Sequence, residues 1–367
     1  MKRFFYILCA ISLSSCGSDD SVPINDSQFS VEANGVLYDS FDEKDLVVYA
    51  NSQSGIITVF ERPKDGDSLR DFSPLDDLPY IMTDEFGTKY DVFGSSYSET
   101  VSDLQKVDGF FGFWFSFAAF YPFPSLIDDP AQLSTLQRET FTDWNVDPEF
   151  IIRGAPDGAI PAIDNPKFKI ITDADRFLNG TLELANVFPA DERIILFKQG
   201  NSYKAFPHAI LNWHEIVFED DYMVNYCPLT GTSFVVNNDG IDWNVSGLLY
   251  NNNLILADGT TNSKWSQIYL ECVNGERRDE TLERIESQEM TWEGLLEFAE
   301  KKQVAYLTTE TGFARDYTFY PYGSYRENQG VFLFDNKYSD DRVPNKELVY
   351  GIISNGAARV YRFSDFQ

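Results

Sequence analysis

ERIILFKQGNSYKAF, residues 192–206, places two runs of β-branched and aromatic residues on either side of Gln199-Gly200-Asn201. Runs of this kind joined through a Gly/Asn turn predict a β-hairpin. The pattern returns near the C-terminus as ELVYGIISNGAARVYRF, residues 347–363, where Arg359-Val360-Tyr361 aligns with Lys204-Ala205-Phe206. A fainter echo runs beside it. Lys89-Tyr90, Leu104, Trp114 and Phe117-Ala118 resemble Lys264-Trp265, Leu282, Trp292 and Phe298-Ala299 in order and approximate spacing. Together the echoes suggest an internal pseudo-repeat of β-rich units, each with one helix.

Outward from the first hairpin the text stays strand-like. FSVEANGVLYDSF (29–41) and DLVVYANSQSGIITVFERP (45–63) are short runs broken by Asn-Gly or Ser-Gly turns. The clearest helix is TWEGLLEFAEKKQ (291–303), with Thr291 as N-cap and apolar residues at helical spacing. The apolar run Phe110 to Tyr121 is too short to span a bilayer and predicts a buried helix or strand. RGAPDGAIPAIDNPKF (153–168) is rich in Pro, Gly and Asp and predicts a long structured loop. With 43% hydrophobic and 16% aromatic residues, a large core can carry the fold without disulfides. The expected class is α+β with strands dominating.

MKRFFYILCAISLSS carries Lys2 and Arg3 ahead of a short apolar stretch, the layout of a secretory signal. It ends in Leu13-Ser14-Ser15-Cys16-Gly17, which resembles the bacterial lipoprotein box, with Cys16 as the acylated (palmitate-carrying) residue. The expected organisation is a signal at 1–15, a polar tether at 16–28, an N-terminal β-rich region at 29–145 and a second α+β region at 146–367. The expected place is the cell envelope, lipid-anchored to the membrane on the periplasmic or surface face of the outer membrane; Asp19-Asp20 is similar to surface-export signals. A net charge of −29 argues against nucleic acid and anionic bilayer surfaces as partners. Of four cysteines, Cys9 leaves with the signal and Cys16 carries lipid, so only Cys227 and Cys272 remain, free or bridged.

Seven ordered phrases, DGAIPAIDNPKF, KAFPHAILNWHEIV, YCPLTGT, VSGLLYNNNLIL, SKWSQ, PYGSY and DDRVPNKELVYGI, resemble the bacterial domain-of-unknown-function family 3179. The resemblance covers roughly Gly154 to Tyr361, and GTKYDVFG with FWFSFAAFYP looks like a further segment of it. It carries no activity, but it singles out His214, Cys227, Ser246-Gly247, Asn252, Trp265 and Gln267. Two departures stand out. Many relatives have a second cysteine where Thr230 stands, which weakens a CxxC redox or metal reading, and an aspartate-arginine pair where this chain has Ala257-Asp258-Gly259.

The chain has two histidines, His208 and His214. A neutral imidazole with a thiolate suits copper or zinc, and the same pair sharing a proton makes Cys227 a nucleophile with His214 as base. Either use needs a third group, for which His208, Asn212, Glu215 and Asn252 are the candidates. Pro207 suits the first turn of a helix in which Ile210, Leu211 and His214 share a side, which sets His208 apart. The bland alternative is core histidines and a buried small thiol. Trp243, Tyr250 and Trp265, with Asn251, Asn252, Asn253, Ser246 and Gln267, offer a platform for a sugar or another flat ligand. The leading expectation is an envelope lipoprotein that binds a metal ion or small ligand at His214 and Cys227. A thiol enzyme and a scaffold or glycan-binding protein are the alternatives. Metabolic labelling with a palmitate analogue is expected to mark the parent chain and not Cys16→Ser; equal labelling of both would remove the lipid anchor.

Overall fold

A computed structural model describes residues 34–366 apart from 128, 130–140, 157, 173–176, 179–180, 183–187 and 331. Cys16 and the expected signal and tether lie outside the described residues. The chain opens with a meander of β1 (Asn34–Phe41), β2 (Lys44–Asn51) and β3 (Ile56–Glu61). A short hairpin, β4 (Lys64–Asp65) and β5 (Ser68–Leu69), precedes a second meander of β6 (Phe72–Asp77), β7 (Tyr80–Asp84) and β8 (Lys89–Asp91). Strand β9 (Gly109–Phe113) runs directly into helix α1 (Trp114–Phe120), and β10 (Ser125–Leu126) follows. After β11 (Ile151–Arg153), β12 (Phe168–Ile170), β13 (Phe177–Leu178) and β14 (Thr181–Leu182) come β15 (Arg193–Gln199), β16 (Ser202–Pro207) and helix α2 (His208–His214). A third meander is β17 (Ile216–Glu219), β18 (Tyr222–Cys227) and β19 (Thr232–Asn237). A fourth is β20 (Trp243–Tyr250), β21 (Asn253–Asp258), β22 (Lys264–Ser266) and β23 (Glu271–Asn274), extended by β11 beside β20. The chain ends with β24 (Ser287–Thr291), helix α3 (Trp292–Phe298), β25 (Val304–Leu307) and the hairpin β26 (Leu348–Ser354) and β27 (Ala357–Tyr361). This is a strand-dominated α+β fold.

The two hairpins that the sequence pairs occupy equivalent places in two sheets. One sheet contains the order β24-β15-β16-β25 and the other β9-β26-β27-β10. In both, the first two pairings are antiparallel and the last is parallel. In both, a helix connects the edge strand to the parallel one on the far side of the hairpin, because strands that run in the same direction cannot be joined by a tight turn. Trp114 opens α1 and Trp292 opens α3, and neither is exposed. Lys89 and Lys264 begin β8 and β22. The turns before them are tied alike: Asp84 accepts the N–H groups of Phe86 and Thr88, and Asp258 those of Thr260 and Thr261. The first unit takes its hairpin and then its β24-α3-β25 segment in chain order within 193–307, with β17–β23 between them. The second is assembled from β9-α1-β10 and the C-terminal hairpin, so its sheet joins strands on either side of residue 145.

Turn chemistry sets both hairpins. Gly200 (φ 60) lies between the paired Gln199 and Ser202, whereas Asn355 (φ 49) and Gly356 (φ 77) lie between Ser354 and Ala357. Left-handed backbone at these positions matches the right-handed twist of the flanking strands. On the strands, the aligned cations have matching roles: Lys204 pairs with Glu219, and Arg359 Nε pairs with Asp39 at 2.7 Å. Each carboxylate also takes a tyrosine hydroxyl, from Tyr222 and Tyr361 respectively.

The apolar run Phe110 to Tyr121 is strand and then helix, and every residue of α1 is buried. Helix α3 stops at Phe298, short of the expected end, with Thr291 accepting the Gly294 N–H at 3.1 Å as N-cap. Among the described residues no helix is long and apolar enough to cross a membrane. Helix α1 approaches β26 closely at Gly351, where an added Cβ would stand 2.1 Å from Phe117 Cε1. Gly351→Ala is therefore expected to cost more than about 2 kcal/mol by overpacking. Urea denaturation checks this, and an unchanged midpoint would contradict the packing described.

Candidate functional site

Pro207 caps α2, and Ile210, Leu211 and His214 turn into the core. His214 Nδ1 lies 2.8 Å from the Pro161 carbonyl oxygen and Nε2 lies 2.8 Å from the Tyr317 hydroxyl. A carbonyl can only accept, so Nδ1 carries the proton and Nε2 accepts from Tyr317. The Tyr317 oxygen is met in turn by the Thr311 hydroxyl. Burial pushes the imidazole down to about 4, so the ring is neutral. Its two hydrogen bonds tie the 153–168 loop and the 311–317 segment to the end of α2.

Cys227 ends β18 and is buried. The Leu254 N–H points at its sulfur at 3.4 Å, and the sulfur lies 3.7 Å from the Asn252 carbonyl oxygen. Burial, and then the nearby Glu215 carboxyl, push the thiol up to about 11. Among the described residues no hydrogen bond joins His214 to Cys227, and no three potential ligands form a metal-holding group. Cys272 is free and buried as well, so the two thiols are not bridged.

His208 belongs to a different environment. Its ring lies 4.1 Å from that of Tyr226, and its Nε2 is 3.5 Å from Glu289, whose carboxylate already pairs with Arg193 at 2.9 Å. Burial, followed by the Arg193 charge, keeps this ring neutral.

The other singled-out residues hold the backbone in place. Ser246 donates to the Ile255 carbonyl and accepts the Leu248 N–H where the β20–β21 register shifts. Gly247 (φ +70) accepts the N–H groups of Gly154 and Ala155, and a Cβ there would stand 2.2 Å from Ala155 O. The Ser-Gly pair thus docks the 153–168 loop on the sheet. Asn252 bonds the backbone of Phe334 in both directions and the Asn336 amide oxygen at 2.8 Å. Gln267, Asn253, Thr230 and Thr232 form one buried network, with Asn253 Nδ2 2.6 Å from Gln267 Oε1 and 2.9 Å from Thr230 Oγ1. Thr230, where the family resemblance led us to expect a second sulfur, is part of this hydroxyl and amide cluster. Trp243 and Trp265 meet edge to face at 5.7 Å and are each 1% exposed, so neither offers an open stacking face.

Next to these ties lies a cavity of about 60 Å³. Pro156 and Ile160 come from the loop, Leu229 from the segment after Cys227, and Leu249 and Leu254 from the β20–β21 hairpin. Leu333 and Phe334 close another side, and the polar groups are Glu215 and Tyr322. Glu215 caps α2 in the left-handed region (φ 56) and is buried. Burial pushes its carboxyl up to about 8, against a lowering contribution from the Tyr322 hydroxyl, which donates to Oε1 at 3.2 Å. The cavity therefore contains an uncharged carboxylic acid at neutral pH and below. The sequence offered Glu215 only as a third group, ligand or orienting partner, beside His214 and Cys227, and it gave no role to Tyr317 or Tyr322 although PYGSY contains the latter.

An acid whose folded pKa is raised stabilises the fold fully below the unfolded value of 4.5 and loses that contribution as pH rises to about 8. Glu215→Gln removes this dependence. Its melting temperature is expected to gain on the parent's across that window, by the equivalent of on the order of a few kcal/mol. A gap independent of pH would show that Glu215 ionises normally.

No curated protein and no solved structure matches the chain. The family model described as a protein of unknown function, DUF3179, matches residues 157–367. With more than half its length matched, and with the phrases that resemble the family converging on one cavity, the chain belongs to the DUF3179 family.

Proposed function

We propose that the protein is an extracytoplasmic lipoprotein, anchored through Cys16, that binds a small, mainly apolar ligand in the cavity beside Glu215. One observation carries the binding reading: five of the seven family-like phrases supply the lining, through Ala159 and Ile160, Glu215, Leu229, Leu249 and Leu254, and Tyr322. The cavity borders the backbone that encloses Cys227, so the reading keeps its centre at the NWHEIV and YCPLTGT phrases. A small organic ligand is favoured over a metal ion because both ring nitrogens of His214 are occupied and the nearest acid is uncharged. Burying a carboxyl in apolar surroundings, on a left-handed backbone, opposes stability, and such departures concentrate at functional sites.

The chemistry of the lining defines the ligand. Leucine, proline and phenylalanine side chains take an apolar group of a few heavy atoms, and the protonated Glu215 carboxyl donates one hydrogen bond to an acceptor such as a carbonyl oxygen. His214 acts as a positioning residue, since its bond to Pro161 holds the loop that covers the cavity.

Methyl NMR of the full-length chain titrated with short-chain ketones, amides and alcohols tests this. Shifts are expected at Leu229, Leu249, Leu254 and Leu333, with binding weakening once pH passes about 8 and lost in Leu249→Trp, which fills the space. Unperturbed methyls in the parent, or equal binding in Leu249→Trp, would overturn the proposal.

A further inference from the structure

A larger cavity of about 300 Å³ opens where α1 ends against the end of β20. It is lined by five aromatic rings: Phe120, Tyr121, Tyr250, Tyr269 and Tyr338. Phe120 meets Tyr250 edge to face at 5.4 Å and Tyr269 at 5.0 Å, and Tyr121 meets Tyr269 at 6.1 Å. The rings therefore brace one another and do not need a ligand to hold them. Tyr338 is 36% exposed and stands at the rim. On the polar side, Lys337 Nζ and Asp147 Oδ2 form an ion pair at 3.1 Å, with side chains 17% and 16% exposed.

We propose that this cavity is a second binding site, for a ring of a neutral carbohydrate. Three observations select that class. The aromatic lining offers apolar ring surface of the kind that packs against the C–H face of a sugar. The Lys337–Asp147 pair gives hydroxyls both a donor and an acceptor. The same pair is neutral overall, so it offers a charged ligand no net compensation for the hydration it would lose. Cavities of this volume fall at the lower end of the range for small-molecule sites, which suits a single ring with its neighbours outside.

The proposal also relocates an expectation. Of the three aromatic residues that the sequence offers as a sugar platform, Trp243 and Trp265 pack against each other in the core, and Tyr250 alone lines this cavity. The asparagines beside it are the scaffold. Asn251 bonds the Lys337 N–H at 2.8 Å and the Ala119 carbonyl at 3.2 Å, which positions the ion pair and the end of α1 around the space.

Isothermal titration and saturation-transfer NMR of the full-length chain, with neutral hexoses, their short oligomers, glucuronate and glucosamine, test the assignment. At least one neutral sugar is expected to bind, with glucuronate and glucosamine weaker. Tyr338→Ala is expected to weaken it about tenfold without lowering the melting temperature, since the ring lies at the rim. Asp147→Asn is expected to weaken it and to narrow the discrimination against glucuronate. Leu249→Trp, which blocks the smaller cavity, should bind sugar as the parent does, so the two sites fail or succeed separately. No binding of any neutral sugar at about 10 mM, tighter binding of a charged sugar, or full binding in Tyr338→Ala would overturn the proposal.

Discussion

Strand β26 is held against β9 by a register that joins Leu348 to Phe113 and Ile352 to Gly109. The second unit exists only because that pairing forms. Its edge strand and helix are made early in the chain and its hairpin at the end, so neither part is a sheet alone. The entropic cost of bringing such distant segments together grows only slowly with separation, and burial of the aromatic run over β26 offsets it. Gly351 shows how tight the seam is, since Phe117 leaves no room there for a methyl group.

The same closure brings the two cavities to one part of the molecule. Segment 333–338 crosses the Asn251-Asn252 turn on its way to the closing hairpin. Phe334 lies at the smaller cavity and Lys337 at the larger, each bonded to one of those asparagines. On the other flank, Gly247 and His214 hold the 153–168 loop from two directions. Residue types that suggest chemistry in a linear reading thus spend their hydrogen bonds on backbone and on neighbouring buried side chains. A protonated Glu215 and a set of tyrosines are left facing the open spaces.

Much of the fold is legible in the chain because hairpins and helix starts are local. Gln199-Gly200-Asn201, Asn355-Gly356 and Thr291 each satisfy backbone demands within a few residues, and short-range physics places them without help from the rest. The alignment of Lys204 with Arg359 carries over to their ion pairs, although Glu219 is 15 residues from Lys204 and Asp39 is 320 from Arg359. Family-like phrases located the smaller cavity more accurately than residue chemistry did. His208, His214 and Cys227 stand out by scarcity, and scarcity says nothing about whether a ring nitrogen is already bonded.

By itself, then, the amino-acid sequence determined the strand-dominated class, the repeated hairpins, the helix caps and the family, all properties of local pattern and ordered motif. Only the tertiary structure decided that the second unit is closed by pairing β9 with the C-terminal strand β26. It also decided that His214 and Cys227 face different partners and that Glu215 is uncharged at neutral pH. Those outcomes depend on burial and on which backbone groups lie within hydrogen-bonding distance. Neither quantity exists until segments far apart in sequence are packed together.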